Sequence, residues 1–286
     1  MTLRKIGVVG CGLMGAGIAE VSARSGCDVV VVEATDVAAK SGLDRIEKSL
    51  ERASQRGKLT DADVDAISKR LFVTHDFEAL ADRELVVEAV PEIDDLKVDV
   101  FRRLSRTVEA SDAILATNTS SIPIMKLAMA TNRPEQVVGL HFFNPVPVLP
   151  LVEVVRSLLT SDDTASRAGS FAGDQLSKNL IQSQDRAGFI VNALLIPYIL
   201  SAIRMFESGF ASAEDIDNGM VHGCAHPMGP LALADLIGLD TTAAVAQSMY
   251  EEFKEPLYSA PPLLLRMVDA GLLGRKSGRG FYTYSR

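Results

Sequence analysis

Seven short runs rich in β-branched and other apolar residues mark the first two thirds of the chain, at residues 5–10, 28–33, 71–74, 84–90, 113–117, 137–143 and 151–155. Longer stretches separate them, among them 37–55 and 96–109, whose apolar spacing suits amphipathic helices. Strand-like runs alternating with helix-like ones predict βαβ units and a mostly parallel sheet. Residues 29–32 are valine throughout, as expected of a strand covered on both faces. Beyond residue 185 the pattern changes. From 188 to 274 there is almost no strand signal, and helix-like runs at 189–207, 212–221, 230–237, 241–253 and 263–270 are divided by glycine and proline. Two domains are expected, an α/β domain over residues 1–185 and an all-helical domain over 186–286.

The first run leads into Gly10-Cys11-Gly12-Leu13-Met14-Gly15 and then a helix-like segment. A G-x-G-x-x-G between a strand and a helix has a physical reading. The first glycine turns the chain, the second lets backbone approach a pyrophosphate, and the third lets the helix pack on the strand. The helix N-terminus then offers free N–H groups and a positive dipole end to phosphate. Glu33 closes the second run, 23 residues past Gly10, near the position of the acid that binds ribose hydroxyls. A carboxylate there repels a 2′-phosphate, so NAD is favoured over NADP. The fold class expected is a Rossmann-type domain followed by the helical one.

With 47% hydrophobic residues in 286, the chain has material for a full core. Its formal net charge of -8, without a dense basic run, argues against nucleic-acid binding. Cys11, Cys27 and Cys224 are odd in number and far apart, which fits neither a disulfide framework nor a paired-Cys metal site. With strand pattern beginning almost at Met1 and no apolar stretch of membrane-spanning length, no signal peptide and no membrane association are expected, and a cytoplasmic location follows.

Oxidising an alcohol by hydride removal requires a proton acceptor, a role suited to imidazole. Of the four histidines, His75 follows an outer strand, and His222 and His226 lie in a glycine- and proline-rich segment that reads as loop without a third metal ligand. No metal is expected. His141 stands at the end of the apolar run beginning at Val137, where open α/β sheets hold ligands.

The segment Gly139 to Pro145, Gly-Leu-His-Phe-Phe-Asn-Pro, resembles the signature of the 3-hydroxyacyl-CoA dehydrogenase family. The resemblance extends to Asn118-Thr119-Ser120-Ser121-Ile122, to Glu153 within Leu151–Val155, and to Gly188-Phe-Ile-Val-Asn192. It continues through His226-Pro-Met-Gly-Pro230, Gly238-Leu-Asp240 and Gly280-Phe-Tyr282, so it covers essentially the whole chain. The single-function length is most similar to the 3-hydroxybutyryl-CoA dehydrogenases of fatty acid metabolism. The resemblance implies NAD-dependent interconversion of (S)-3-hydroxyacyl-CoA and 3-oxoacyl-CoA. It makes His141 the general acid/base and Glu153 its orienting carboxylate, with Ser120 and Asn192 binding substrate oxygens. It implies that Asn144, Glu92, Lys97, Asn118 and Lys276 contact the cofactor, and that the helical domain forms a homodimer.

For coenzyme A, Lys48, Arg52 and Arg56 recur at i, i+4 and i+8 beside Ser49, a row expected on one helix face. The family resemblance implies that Ser49 touches the CoA moiety, with Arg52 and Arg56 as the nearby cations. Arg56 stands where the family has Lys, and Glu33 where Asp is commoner. Two other readings are compatible with these residues: a related dehydrogenase of a non-CoA hydroxy or sugar acid, and a NAD-binding protein without catalysis.

Overall fold

The computed structural model describes residues 2–284. It divides the chain into two compact units, residues 1–186 and 187–286.

The first unit is built on an eight-stranded sheet: β1 (Lys5–Val9), β2 (Asp28–Val32), β3 (Leu71–Thr74), β4 (Leu85–Glu88), β5 (Ile114–Thr117), β6 (Val137–Phe142), β7 (Leu151–Arg156) and β8 (Asn179–Gln184). The order is β3-β2-β1-β4-β5-β6-β7-β8. Every neighbouring pair is parallel except β6 with β7. Six helices connect the strands: α1 (Leu13–Arg24), α2 (Asp36–Gln55), α3 (Asp61–Ser68), α4 (Asp94–Thr107), α5 (Ile124–Ala128) and α6 (Asp162–Ser170). β8 is absent from the expected runs. Its sequence, Asn-Leu-Ile-Gln-Ser-Gln, is two-thirds polar, and as an edge strand it leaves all of its residues exposed or half-buried.

All residues of β4, β5 and β6 are buried, which is why these runs are uninterrupted by surface charges. Ile6, Val8, Val31, Val87, Ala116 and Leu140 join Ile18 of α1 and Ile46 and Leu50 of α2 in one core. The opposite face is closed by α5, whose Ile124 comes so near Gly139 that a Cβ there would lie 3.0 Å from it. Burial of this extent, at about 25 cal/mol per Å² of apolar surface, fixes the strand register on which the site depends.

The second unit holds α7 (Val191–Glu207), α8 (Ala213–Cys224), α9 (Pro230–Ile237), α10 (Leu239–Phe253) and α11 (Pro262–Asp269) around an apolar core that includes Ile199, Leu200, Leu231, Ala246 and Leu264. Two buried carboxylates organise it. Asp217 accepts from the first-turn amides of α9, Leu231 N at 2.8 Å and Ala232 N at 2.9 Å. Asp235 accepts from Phe281 N and Tyr282 N, each at 3.0 Å. The motifs around His226–Pro230 and Gly280–Tyr282 thus meet these two acids, and a Cβ at Gly280 would collide with Asp235. His222 lies in the last turn of α8, not in a loop, because the helix continues to a left-handed residue, Ala225. His226 turns instead to Tyr198, with Nδ1 3.1 Å from the hydroxyl. Among the described residues no group of three or more His, Cys, Asp or Glu could hold a metal, and no helix is long and apolar enough to cross a membrane.

Candidate active site

Parallel pairing brings the C-terminal ends of β1, β4, β5 and β6 to one edge of the sheet, and the chain reverses its strand order between β1 and β4. Open α/β sheets bind ligands outside such a reversal.

The glycine loop leaves β1 there. Gly10 has φ +92°, and a Cβ on it would stand 2.8 Å from Ala89 O. A Cβ on Gly15 would strike Gly10 O. Gly12 is different, because nothing lies within 4 Å of the Cβ position. Gly10 and Gly15 are needed by the fold, while Gly12 opens outward. No side chain caps α1 at Gly12 and its first turn has no acid, so the amides of Leu13 and Met14 remain for an anion. Leu13 is exposed and Met14 packs partly into the core. The loop therefore fits a pyrophosphate. Glu33 reaches back to it, accepting from Cys11 N at 2.5 Å and Ala34 N at 3.1 Å. Burial first, and then the Glu33 charge, push the Cys11 thiol up to about 12, so it is an inert core residue.

His141 and Glu153 face each other across the only antiparallel pair of strands in the sheet. Both are buried, and His141 Nδ1 lies 2.6 Å from Glu153 Oε2. The turn of chain at β6–β7 is what lets one residue stand opposite the other, so register sets their separation. The proline-containing loop that links them is clamped by Lys178, whose Nζ donates to Val146 O at 2.6 Å and Leu149 O at 2.8 Å. Ser120 Oγ lies 2.9 Å from His141 Nε2. A carboxylate only accepts, so Nδ1 carries the proton, and neutral Nε2 accepts from the Ser120 hydroxyl. Asn118 Oδ1 accepts from Phe142 N at 2.9 Å, tying the end of β5 to that of β6.

Glu92 and Lys97 belong to a network that sequence reading missed. Lys97 is buried, with Nζ 2.6 Å from Glu88 and 3.1 Å from Glu92. Glu88 also accepts from the Thr117 hydroxyl at 2.7 Å and Val90 N at 2.7 Å. Burial outweighs these partners and raises the Glu88 pKa. For Glu92, burial pulls the same way but the Lys97 charge and the Thr119 and Ser120 donors win and lower it. The signal for Glu88 was slight: a carboxylate at the last position of an otherwise apolar strand.

Arg52 and Ser49 lie on α2 beside Leu13, Asn144 and Pro145, lining one cleft. Burial raises the pKa of the nearby Glu20 against the lowering effect of Ser49 and Arg24. Arg56 is the C-cap of α2, and its N–H still bonds to Arg52 O as in the helix. It remains exposed. Asn192 and Lys276 lie in the second unit. Asn192 is half-buried in the first turn of α7, and Lys276 Nζ pairs with Asp240 at 2.5 Å.

The model of the 3-hydroxyacyl-CoA dehydrogenase NAD binding domain matches residues 5–186, and that of the family's C-terminal domain matches residues 188–284. The chain belongs to the 3-hydroxyacyl-CoA dehydrogenase family. As a family member it is an oxidoreductase with a Rossmann NAD-binding domain. It is 57% identical to a Mycobacterium tuberculosis protein named 3-hydroxybutyryl-CoA dehydrogenase, over 99% of both chains. The solved structure of M. tuberculosis FadB2 matches with TM-score 0.98 at 56% identity, covering 100% of each chain. That of (S)-3-hydroxybutyryl-CoA dehydrogenase PaaH1 from Ralstonia eutropha matches with TM-score 0.94 at 44% identity, again over 100% of both.

Proposed function

We propose that this family member interconverts (S)-3-hydroxybutyryl-CoA and acetoacetyl-CoA, using NAD in preference to NADP. The carrying observation is the hydrogen-bonded line Ser120–His141–Glu153, at 2.9 Å and 2.6 Å, on the same sheet edge as the glycine loop. The names of relatives at 57% and 44% identity support the substrate. NAD, when bound, supplies the nicotinamide carbon that accepts the hydride from C3. His141 Nε2 takes the C3 hydroxyl proton, and Glu153 stabilises the imidazolium that results. In reduction the same proton returns to the developing alkoxide. Ser120 and Asn192 donate hydrogen bonds to substrate oxygens, which polarises the ketone. Glu33 takes the ribose hydroxyls, exchanging its bond to Cys11 N, and its charge disfavours a 2′-phosphate. Asn144, Asn118, Glu92 and Lys97 border the nicotinamide end of this cofactor site, with Lys276 a further contact. Ser49, Arg52 and Arg56 face the CoA moiety.

We further read the protein as a homodimer, consistent with exposed Leu194, Phe210 and Leu265 on the helical unit. The test of function is acetoacetyl-CoA reduction followed at the nicotinamide absorbance, with NADH against NADPH. Turnover with NADH is expected to exceed that with NADPH. Folded protein that binds NADH but turns over with neither would overturn the reading.

A further inference from the structure

Glu92 is engaged by its own chain more fully than a cofactor contact requires. Its Oε1 accepts from the backbone N–H of Ser120 at 3.0 Å and of Ser121 at 3.1 Å, and from the Ser121 hydroxyl at 3.0 Å. The Thr119 hydroxyl donates to the same oxygen. Three successive residues thus point donors at one acceptor. Its Oε2 lies 3.1 Å from Lys97 Nζ. Lys97 is held in turn at 2.6 Å by Glu88, which is wholly buried at the end of β4. A line of alternating charges therefore runs from the interior of the sheet to the turn that carries Ser120.

We infer that Glu92 is a positioning residue for Ser120, held in place through Lys97 by Glu88, and that this line sets the Ser120–His141 distance. The inference rests on the proposed roles of Ser120 and His141. Its physical basis is the economy of the turn. Without the carboxylate, the Ser120 and Ser121 amides turn to solvent and the turn relaxes. Displacing a reacting group by about 1 Å costs on the order of 100-fold in rate. The ion pair behind Glu92 matters because Lys97 orients the carboxylate. With Oε2 directed at the ammonium, Oε1 is left to face the turn.

The experiment is a double-mutant cycle between Glu92→Ala and Ser120→Ala, reading kcat for acetoacetyl-CoA reduction and the NADH Kd by fluorescence, with thermal unfolding as the control. Glu92→Ala is expected to lower kcat by roughly 10- to 100-fold, a loss that persists at saturating NADH whatever the change in NADH Kd. The double variant is expected to be no slower than Ser120→Ala, since no hydroxyl remains to be positioned. Glu92→Gln, which keeps an acceptor oxygen, should recover part of the loss, and it carries the same cycle if the alanine variant fails to fold. Losses that multiply in the double variant, or a raised NADH Kd with kcat unchanged, would make Glu92 a cofactor contact only and overturn the inference. If Ser120→Ala is slow and Glu92→Ala is not, the inference alone fails. If Ser120→Ala turns over as the wild type does, the role of Ser120 fails and the inference falls with it.

Discussion

Replacing Glu153 by Gln keeps the size of a wholly buried side chain and removes its charge. The carboxylate is 2.6 Å from His141 Nδ1, so its full field acts on the ring when Nε2 takes up the substrate proton. Opposite unit charges about 4 Å apart attract by about 4 kcal/mol at an effective dielectric near 20. At about 1.4 kcal/mol per tenfold in rate, losing that attraction slows the proton-transfer step on the order of 1000-fold. The amide adds an effect of the same sign. When its NH2 faces the ring, the tautomer protonated on Nε2 is favoured, and that nitrogen cannot accept. The assay is kcat in both directions, with NADH Kd and thermal unfolding measured on the same preparation. The expected result is a kcat loss between roughly 100- and 10000-fold with cofactor binding retained. A folded Glu153→Gln variant that binds NADH normally and loses less than about tenfold would refute the role given to the carboxylate.

Three further outcomes follow from the geometry. Gly12→Ala should leave the unfolding temperature of the ligand-free protein unchanged, since its Cβ meets nothing within 4 Å, yet raise NADH Kd by more than about tenfold; Gly15→Ala should destabilise the protein itself. Equal unfolding shifts for the two would contradict the assignment of Gly12 to the ligand. Arg52→Ala and Arg56→Ala should each raise KM for acetoacetyl-CoA roughly two- to fivefold, as exposed charge contacts do, and leave acetoacetyl-pantetheine unaffected; equal effects on both substrates would remove the CoA contact from α2. Tyr284 donates to the buried Asp235 at 2.9 Å, and burial with that carboxylate pushes its phenol from 10.0 up to about 12. The folded protein then holds a proton that the unfolded chain releases. Its contribution is full below pH 10.0 and declines as pH rises toward about 12. The stability difference between wild type and Tyr284→Phe should shrink over that interval, and a constant difference would exclude the linkage.

Six of the first seven strands were legible because most of their residues are buried, leaving β-branched runs with little polar interruption; the seventh, the edge strand β3, buries none of its residues but is Leu-Phe-Val-Thr. β8 was not, because an edge strand needs no such run and Asn179, Gln182 and Gln184 mask it. The Gly10–Gly15 loop was readable since its backbone conformation demands glycine directly. The pairing of His141 with Glu153 was reached through family resemblance; its cause is the antiparallel register, which no local pattern encodes. The buried acids Glu88, Asp217 and Asp235 were passed over for a related reason. A carboxylate in a sequence reads as solvated surface, and only its partners in the fold, Lys97 for Glu88 and backbone amides for the other two, explain why it is inside.

The most direct test of the account is His141→Gln, read as acetoacetyl-CoA reduction beside NADH binding on the same folded protein. Turnover is expected to collapse, by on the order of 1000-fold or more, while NADH Kd stays near the wild-type value. Turnover that survives the substitution would contradict the assignment of proton transfer to His141.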